Sequence, residues 1–524
     1  MNKFLIIPVL CFCFAPSLFG QETGWISGSF ESNTHYYLDD NALGIDAPLN
    51  PLASNNYLWV QFNKGPVTAG LQLESYMPPT IGYPNQLEGT KISHRFLRVK
   101  KGFLDLTAGN FYEQFGSGLS FRSYEDRALG INNSMDGIRL ILTPASWIGL
   151  KGVYGKQRKY EESADGYLRG IDGYIDFGPM FKWDNSIKLG TGVISKYESY
   201  LGPDDDFPRT VNVINSRISA DIASFSLYSE FVVKSADPTA LNLFNETRGS
   251  AFSTHASVTR SGFVTMLALR FLNNMDFRIE REALDTYSAI NYLPANTRQH
   301  IYLLSNIYPY PTQAEAEASV QADIFYTIPR KTAIGGPYGT KVRMNYAHVR
   351  DLQPVGENAH KTFSFGDKLY YADFNLEINR KWGRQVRTIL FFQALSYNKG
   401  EIELTGGKVK SRILVGDLRY SFTRRFSMKT ELQHLWTKDD YGNWFAGLLE
   451  LSYAPGWSVF FSDMTNYRYD DPVHYLRTGI SYSNPYFRIA IGYGRNRAGY
   501  ICSGGVCQII PAYTGFNMNI SSSF

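Results

Sequence analysis

Between Phe516 and Phe524 the chain alternates strictly, with Phe516, Met518, Ile520, Ser522 and Phe524 set against Asn517, Asn519, Ser521 and Ser523. Successive side chains of a β-strand point to opposite faces, so a period of two predicts a strand with one apolar and one polar face. The pattern recurs upstream. Tyr370, Ala372, Phe374, Leu376 and Ile378 alternate with Tyr371, Asp373, Asn375, Glu377 and Asn379. Phe445, Gly447, Leu449, Leu451 and Tyr453 alternate with Ala446, Leu448, Glu450 and Ser452, and Phe487, Ile489, Ile491 and Tyr493 with Arg488, Ala490, Gly492 and Gly494. Connections alternate in length as well. Turn-type links at 63–65, 100–102, 423–425, 454–456 and 483–485 are separated by long polar stretches such as 38–54, 197–208, 235–250, 275–313 and 351–366. Short turns on one side and long loops on the other predict an all-β fold, a single closed antiparallel transmembrane β-barrel with its apolar set toward lipid. Counting hairpins gives about 24 strands, within roughly 22 to 26. The pattern leaves boundaries near 177–186 and 263–273 open. Membrane strands must satisfy every backbone group, so the segment near 25–37 is expected to pair with 516–524. A periplasmic sandwich would alternate in the same way, but the loop asymmetry and the terminal aromatic Phe524 argue against it.

The N-terminus adds an address. Residues 1–20 read as a secretory signal, with Lys3 before an apolar run at 4–14 and Gly20 at the small-residue position. Leu18 fits such a site poorly, so cleavage is placed within a few residues of Gln21. Cys11 and Cys13 follow Leu10 and Phe12, not the small residues of a lipoprotein site, and would leave with the signal. No later run of 18 or more apolar residues offers a membrane helix. Residues 21–524 are therefore expected to form one barrel in the cell outer membrane, surrounded by lipid and lipopolysaccharide. Phe524 would be the signal read by the barrel-assembly machinery. Strand-like sequence at 25–37 begins almost at the expected cleavage site, so no N-terminal plug domain is expected, which disfavours a TonB-dependent transporter.

Composition agrees. Aromatics make up 15% of residues, with 36 Tyr, which suits girdles at two membrane interfaces. The mean hydropathy of −0.24 fits strands that are half polar. The 52 basic and 48 acidic residues nearly cancel, so no nucleic-acid partner is implied.

The third predicted outside loop, near 109–130, is rich in glycine, aromatics and charges of both signs. Folded inward, it would narrow a lumen. Glu113, Arg122, Glu125, Asp126 and Arg127 could then set a transverse field that selects solutes by size and charge. Equally, they could form a salt-bridged loop against the wall, or lie in a surface loop. The run Phe111-Tyr112-Glu113-Gln114-Phe115-Gly116-Ser117-Gly118-Leu119, with Tyr308-Pro309-Tyr310 and Gln313, resembles a family of uncharacterised, porin-like outer-membrane β-barrel proteins of the Bacteroidota. The resemblance implies location and fold and brings no substrate or binding residues.

Other chemistry is sparse. Cys502 and Cys507 flank two glycines that let the chain reverse, and an exported protein folds under oxidising conditions, so a disulfide is expected. Asp204-Asp205-Asp206, Asp439-Asp440 and Asp470-Asp471 read as solvated loops, without the spacing of a calcium loop. Lumen-facing Arg343, Arg419, Lys429 and Arg477 mix with Asp373, Glu377, Asp417 and Glu450, which favours cross-strand pairing over one dominant sign. No zinc, nucleophile-elbow or P-loop motif appears, and neither an enzyme nor a cofactor is expected. The expected function is a porin-like channel for small hydrophilic solutes. Its rival is a non-conducting scaffold or accessory barrel for secretion or surface assembly, with a stretch such as 275–313 plugging the lumen.

Overall fold

The computed structural model describes residues 24–524 apart from 200–202, 204–205, 357–358, 469–471 and 504–505. The signal at 1–20 and Asp204, Asp205, Asp470 and Asp471 thus lie outside the described residues. Twenty-four antiparallel strands form one closed barrel, each hydrogen-bonded to its neighbours in sequence. The ring closes where Trp25–Leu38 pairs with Tyr513–Ser523, in a register running from Ser29 opposite Ser523 to Leu38 opposite Thr514. Closure leaves no edge with unpaired backbone groups, as a membrane wall requires.

The alternation in the sequence becomes the two faces of the wall. Ile138, Ile171, Ile214 and Leu267 stand exposed on the outside, while the intervening positions turn inward. Aromatics cluster where strands meet short turns: Trp457 and Tyr482 are 4.9 Å apart between ring centroids, and Phe422 and Phe426 5.1 Å. Trp457 and Tyr482, apolar in body and polar at one edge, match a membrane interface.

Two regions left open by the sequence pattern are now placed. Phe263–Asn273 is a wall strand, paired with Gly249–Arg260 and Ala316–Ile328. The 177–186 region is a turn containing the five-residue helix Phe177–Phe181, whose Asp176 carboxylate accepts from Gly178 N at 3.1 Å. The short-turn side also carries one longer link, 329–339.

Inside, the lower wall is polar and internally paired. Asp172 accepts from Arg217 at 2.6 and 2.7 Å, Asp105 from both Arg98 and Arg139, and Asp417 lies 3.5 Å from Arg419 and from Lys429. Opposite charges on the same strand, on adjacent strands or two strands apart neutralise one another there. Toward the long-loop side the inner face becomes apolar. Val211, Val213, Val232, Tyr397 and Ile413 point inward and are fully buried, so something inside the barrel covers them.

Candidate functional site

The cover is made of loop 112–134 and the connection 274–315. Loop 112–134 leaves the strand Leu104–Phe111 and lies against the inner wall. Two short antiparallel pairings shape it, Gln114–Phe115 with Phe121–Arg122 and Glu125–Asp126 with Ile131–Asn132. Gly116 and Gly118 carry the chain through the first bend at φ of +54° and +98°, where a side chain would be strained. A Cβ on Gly116 would also fall 2.3 Å from Glu230 of the wall. That carboxylate accepts from Ser117 N at 2.9 Å and from the Ser117 hydroxyl. Phe115 and Phe121 meet edge to face at 5.2 Å and are buried with Val153, Leu168, Ile194, Val211, Val213 and Val232 of the wall.

Connection 274–315 docks in two parts. Its first part binds the loop: Tyr292 N donates to Gly118 O and Arg122 N to Ile290 O, each at 2.9 Å. Asn291 bridges Met275 O at 2.8 Å and Leu119 O at 3.3 Å, and Met275, Phe277, Ile279 and Ile290 enter the same apolar core. The second part crosses to the facing wall, where Tyr302, Leu304, Ile307, Tyr308 and Tyr310 pack on Phe391, Tyr397, Ile413 and Leu435. Polar anchors accompany it. His300 lies 2.6 Å from Asp373, Arg298 donates to Glu377 at 3.0 Å, and the Tyr310 hydroxyl donates to Glu317 at 2.8 Å. Burying these charges is tolerable only because each has a partner.

The five loop residues singled out in the sequence separate into distinct roles. Glu113 lies behind the loop, bonded to Lys151 at 2.7 Å and 3.7 Å from Arg139, so it ties loop to wall. Asp126 caps a turn, accepting from Ala128 N at 3.0 Å and Leu129 N at 3.3 Å. The Arg122 guanidinium is held between two rings, 4.0 Å from the centroid of Tyr292 and 4.7 Å from that of Tyr124. Only Glu125 and Arg127 come together. Arg127 bonds Glu125 at 3.2 Å and Glu31 of the first strand at 2.5 Å, with its guanidinium 4.3 Å from the Tyr57 ring. Burial alone would lower the pKa of Arg127, but the two carboxylates hold it above its ordinary value. Glu31, Tyr57, Tyr292, Glu230 and Lys151 were not marked in the sequence. Each lies far along the chain from the loop residue it meets, and no local pattern links them.

Cys502 and Cys507 are bonded, with Cα atoms 4.1 Å apart, in a hairpin of Gly499–Ser503 and Val506–Ile510. The hairpin leans onto the lumen elements. Gln299 donates to Cys502 O at 2.9 Å, Gln508 donates to Gly82 O, and Val506 packs on the cluster of Leu129, Ile131 and Tyr287. The acidic pair Asp439 and Asp440 is taken up by the protein: Asp439 accepts from Lys410 N, and Asp440 from Lys399 and Tyr308. Among the described residues no group of three His, Cys, Asp or Glu side chains is placed to hold a metal ion.

Comparison with known proteins adds fold and family. A search of curated proteins finds no match. A chain of the E. coli P pilus tip assembly intermediate PapC-PapD-PapK-PapG is similar over 97% of this chain and 62% of its own length, with a TM-score of 0.51 and 10% identity. The P pilus usher (PapC) translocation pore matches over 95% of this chain and 99% of its own, with a TM-score of 0.47 and 10% identity. The siderophore receptor PirA from Pseudomonas aeruginosa matches over 96% and 81%, with a TM-score of 0.43 and 9% identity. At 10% identity the first of these likenesses is one of fold alone. The two stretches that carry the sequence resemblance, around 111–119 and 308–313, are both lumen elements, and the model of one family matches residues 1–524 in full: the chain belongs to the family of unknown function DUF6029.

Proposed function

We propose that this protein is an outer-membrane channel that passes small hydrophilic solutes through a lumen narrowed by loop 112–134 and connection 274–315. The supporting observation is the uneven filling of the barrel. Apolar cores cover the inner wall from Leu104–Phe111 to Phe263–Asn273 and from Thr340–Arg350 to Trp444–Tyr453. Among the described residues, the inner wall from Trp457–Asn466 through the closure to Trp25–Leu38 adds only Met464 and Tyr475 at the margin of the second core, and a cavity of about 350 Å³ lies on it. A barrel of this strand number left unfilled would breach the membrane, so restriction of the lumen is a requirement. In this reading Glu125 and Arg127, with Glu31, stand at the edge of the restriction, and Glu113, Arg122 and Asp126 keep the loop in shape.

The reading carries the rest of the address: a signal at residues 1–20, a Bacteroidota-type outer membrane with its lipid and lipopolysaccharide, and recognition of Phe524 by the assembly machinery. The rival, a non-conducting scaffold for secretion or surface assembly, draws on the same two apolar cores. Planar-bilayer recording of purified full-length protein separates them. Stable conductance steps altered by Arg127→Ala support the channel, whereas silence from a heat-modifiable, correctly folded barrel supports the scaffold.

A further inference from the structure

The uncovered arc of wall differs from the rest in two respects. The first is size. On Phe487–Asn496 the inward positions 490, 492 and 494 are Ala, Gly and Gly, and on the last strand position 515 is Gly. Small side chains on neighbouring strands set the wall back, and the 350 Å³ cavity follows them from Arg488, near the short-turn end, to Asn496 and Tyr513 near the long-loop end. The cavity therefore follows the strand from one end to the other.

The second difference is charge. Elsewhere on the inner face most of the arginines meet carboxylates, Arg98 and Arg139 with Asp105, Arg217 with Asp172 and Arg419 with Asp417, while Arg387 donates to Asn379. Arg477 and Arg488 both line this cavity and are exposed, and no ion pair to either is found among the described residues. One carboxylate, Glu450, faces them from the same cavity, where it accepts from Ser452 at 3.2 Å. Two exposed guanidinium groups against one carboxylate leave net positive charge along this cavity. There, field lines are focused and counter-ions concentrated.

Resting on the channel reading above, we propose that solute crosses along this arc beside the barrel closure, and that Arg477 and Arg488 make the path favour small anionic solutes such as carboxylates or phosphates. Loop 112–134 then bounds the path through Arg127 with Glu31 and Glu125, one guanidinium against two carboxylates, so the anion preference rests on Arg477 and Arg488 alone.

The test is reversal-potential measurement in a potassium chloride gradient across a planar bilayer, with full-length protein. The wild type is expected to favour chloride, and the Arg477→Gln, Arg488→Gln double variant to lower the chloride-to-potassium permeability ratio several-fold with the barrel intact. Ala490→Cys, labelled with a bulky thiol reagent, should lose most of its conductance. The two native cysteines left after signal removal are bonded to each other and leave the reagent one target. Cation preference in the wild type, or a ratio unmoved by the double variant, overturns the anion assignment. Complete labelling at position 490 with undiminished current overturns the path while leaving a channel. A silent, correctly folded wild type overturns the channel reading itself.

Discussion

Glu74 and Arg158 show how single residues hold the lumen elements to the wall. Arg158 donates to both Glu74 oxygens, at 3.0 and 2.8 Å, and the same carboxylate accepts from Gln72 at 2.9 Å, Tyr76 at 3.1 Å and, on the loop, Asn132 at 3.3 Å. Removing one partner of such a pair strands the other charge, at a cost of about 3–5 kcal/mol. Glu74→Gln is therefore expected to raise amide exchange and protease cleavage within 113–132, with the barrel yield retained. Glu315, at the end of the long connection, gives a pH dependence. Burial, with Asp276 beside it, pushes its carboxyl up to about 7 against the opposing pull of Lys234 and Arg278. A carboxyl whose folded pKa is raised keeps its proton when the opened form has lost it, so the docked state weakens as pH rises from about 4.5 to about 7. Protection against hydrogen exchange across 274–315, taken relative to the intrinsic exchange rate at each pH, should fall between about pH 5 and about pH 7. Glu315→Gln should flatten that profile, and an unchanged profile in the variant would assign the dependence elsewhere.

At the scale of elements, the hairpin Gly499–Ser503 and Val506–Ile510 rises from the closure arc and rests on the lumen elements through Gln299 and Tyr287, and on the connection 77–88 through Gly82. Its disulfide limits how far it can lift. Replacing both Cys502 and Cys507 by Ser should hasten proteolysis within 499–510 and raise single-channel conductance, with heat-modifiability unchanged; conductance equal to wild type would show that the hairpin does not overlie the path. Elements differ in how much of this could be read in advance. Phe516 to Phe524 and Phe487 to Tyr493 are legible because one face meets lipid and the other water, which is the condition for clean alternation. Connection 274–315 is harder to read. Met275, Phe277, Ile279 and Ile290 follow no helix or strand period that continues, and their core exists only against wall strands far away in sequence. A trace of it was present on the wall, where Val211 and Val213 are apolar on the inward face beside outward Ile214. Apolar residues on both faces of a barrel strand mean that the lumen is dry at that height. The candidate loop was legible as a loop of mixed charge, but which charges meet was not, because Glu31 and Arg127 are brought together only by closure of the whole barrel.

For the molecule as a whole, closure joins the first wall strand to the last, and its ladder ends on one residue. Phe524 N donates to Gly28 O at 3.0 Å and Gly28 N to Phe524 O at 2.9 Å, extending the ladder that begins at Leu38 and Thr514. The Phe524 ring lies across the outer face of Gly28, where an added Cβ would fall 2.4 Å from its Cζ. Glycine at position 28 therefore makes room for the terminal aromatic, and the two form one feature from opposite ends of the sheet. Two alterations should act on it differently. Deleting Phe524 removes both the ring and its two backbone bonds. Gly28→Val keeps the C-terminus intact but evicts the ring, so it separates recognition of the residue during assembly from its seat in the finished barrel. If Phe524 serves chiefly as an assembly signal, the deletion should sharply lower heat-modifiable protein in the outer membrane, while Gly28→Val inserts at near-normal yield and then unfolds at a lower temperature in detergent. If the ring's seat is what matters, both alterations should lose yield to the same extent. Normal yield and normal heat-modifiability for the deletion would remove Phe524 from assembly altogether and leave the remaining ladder from Ser29 to Leu38 as sufficient to close the wall.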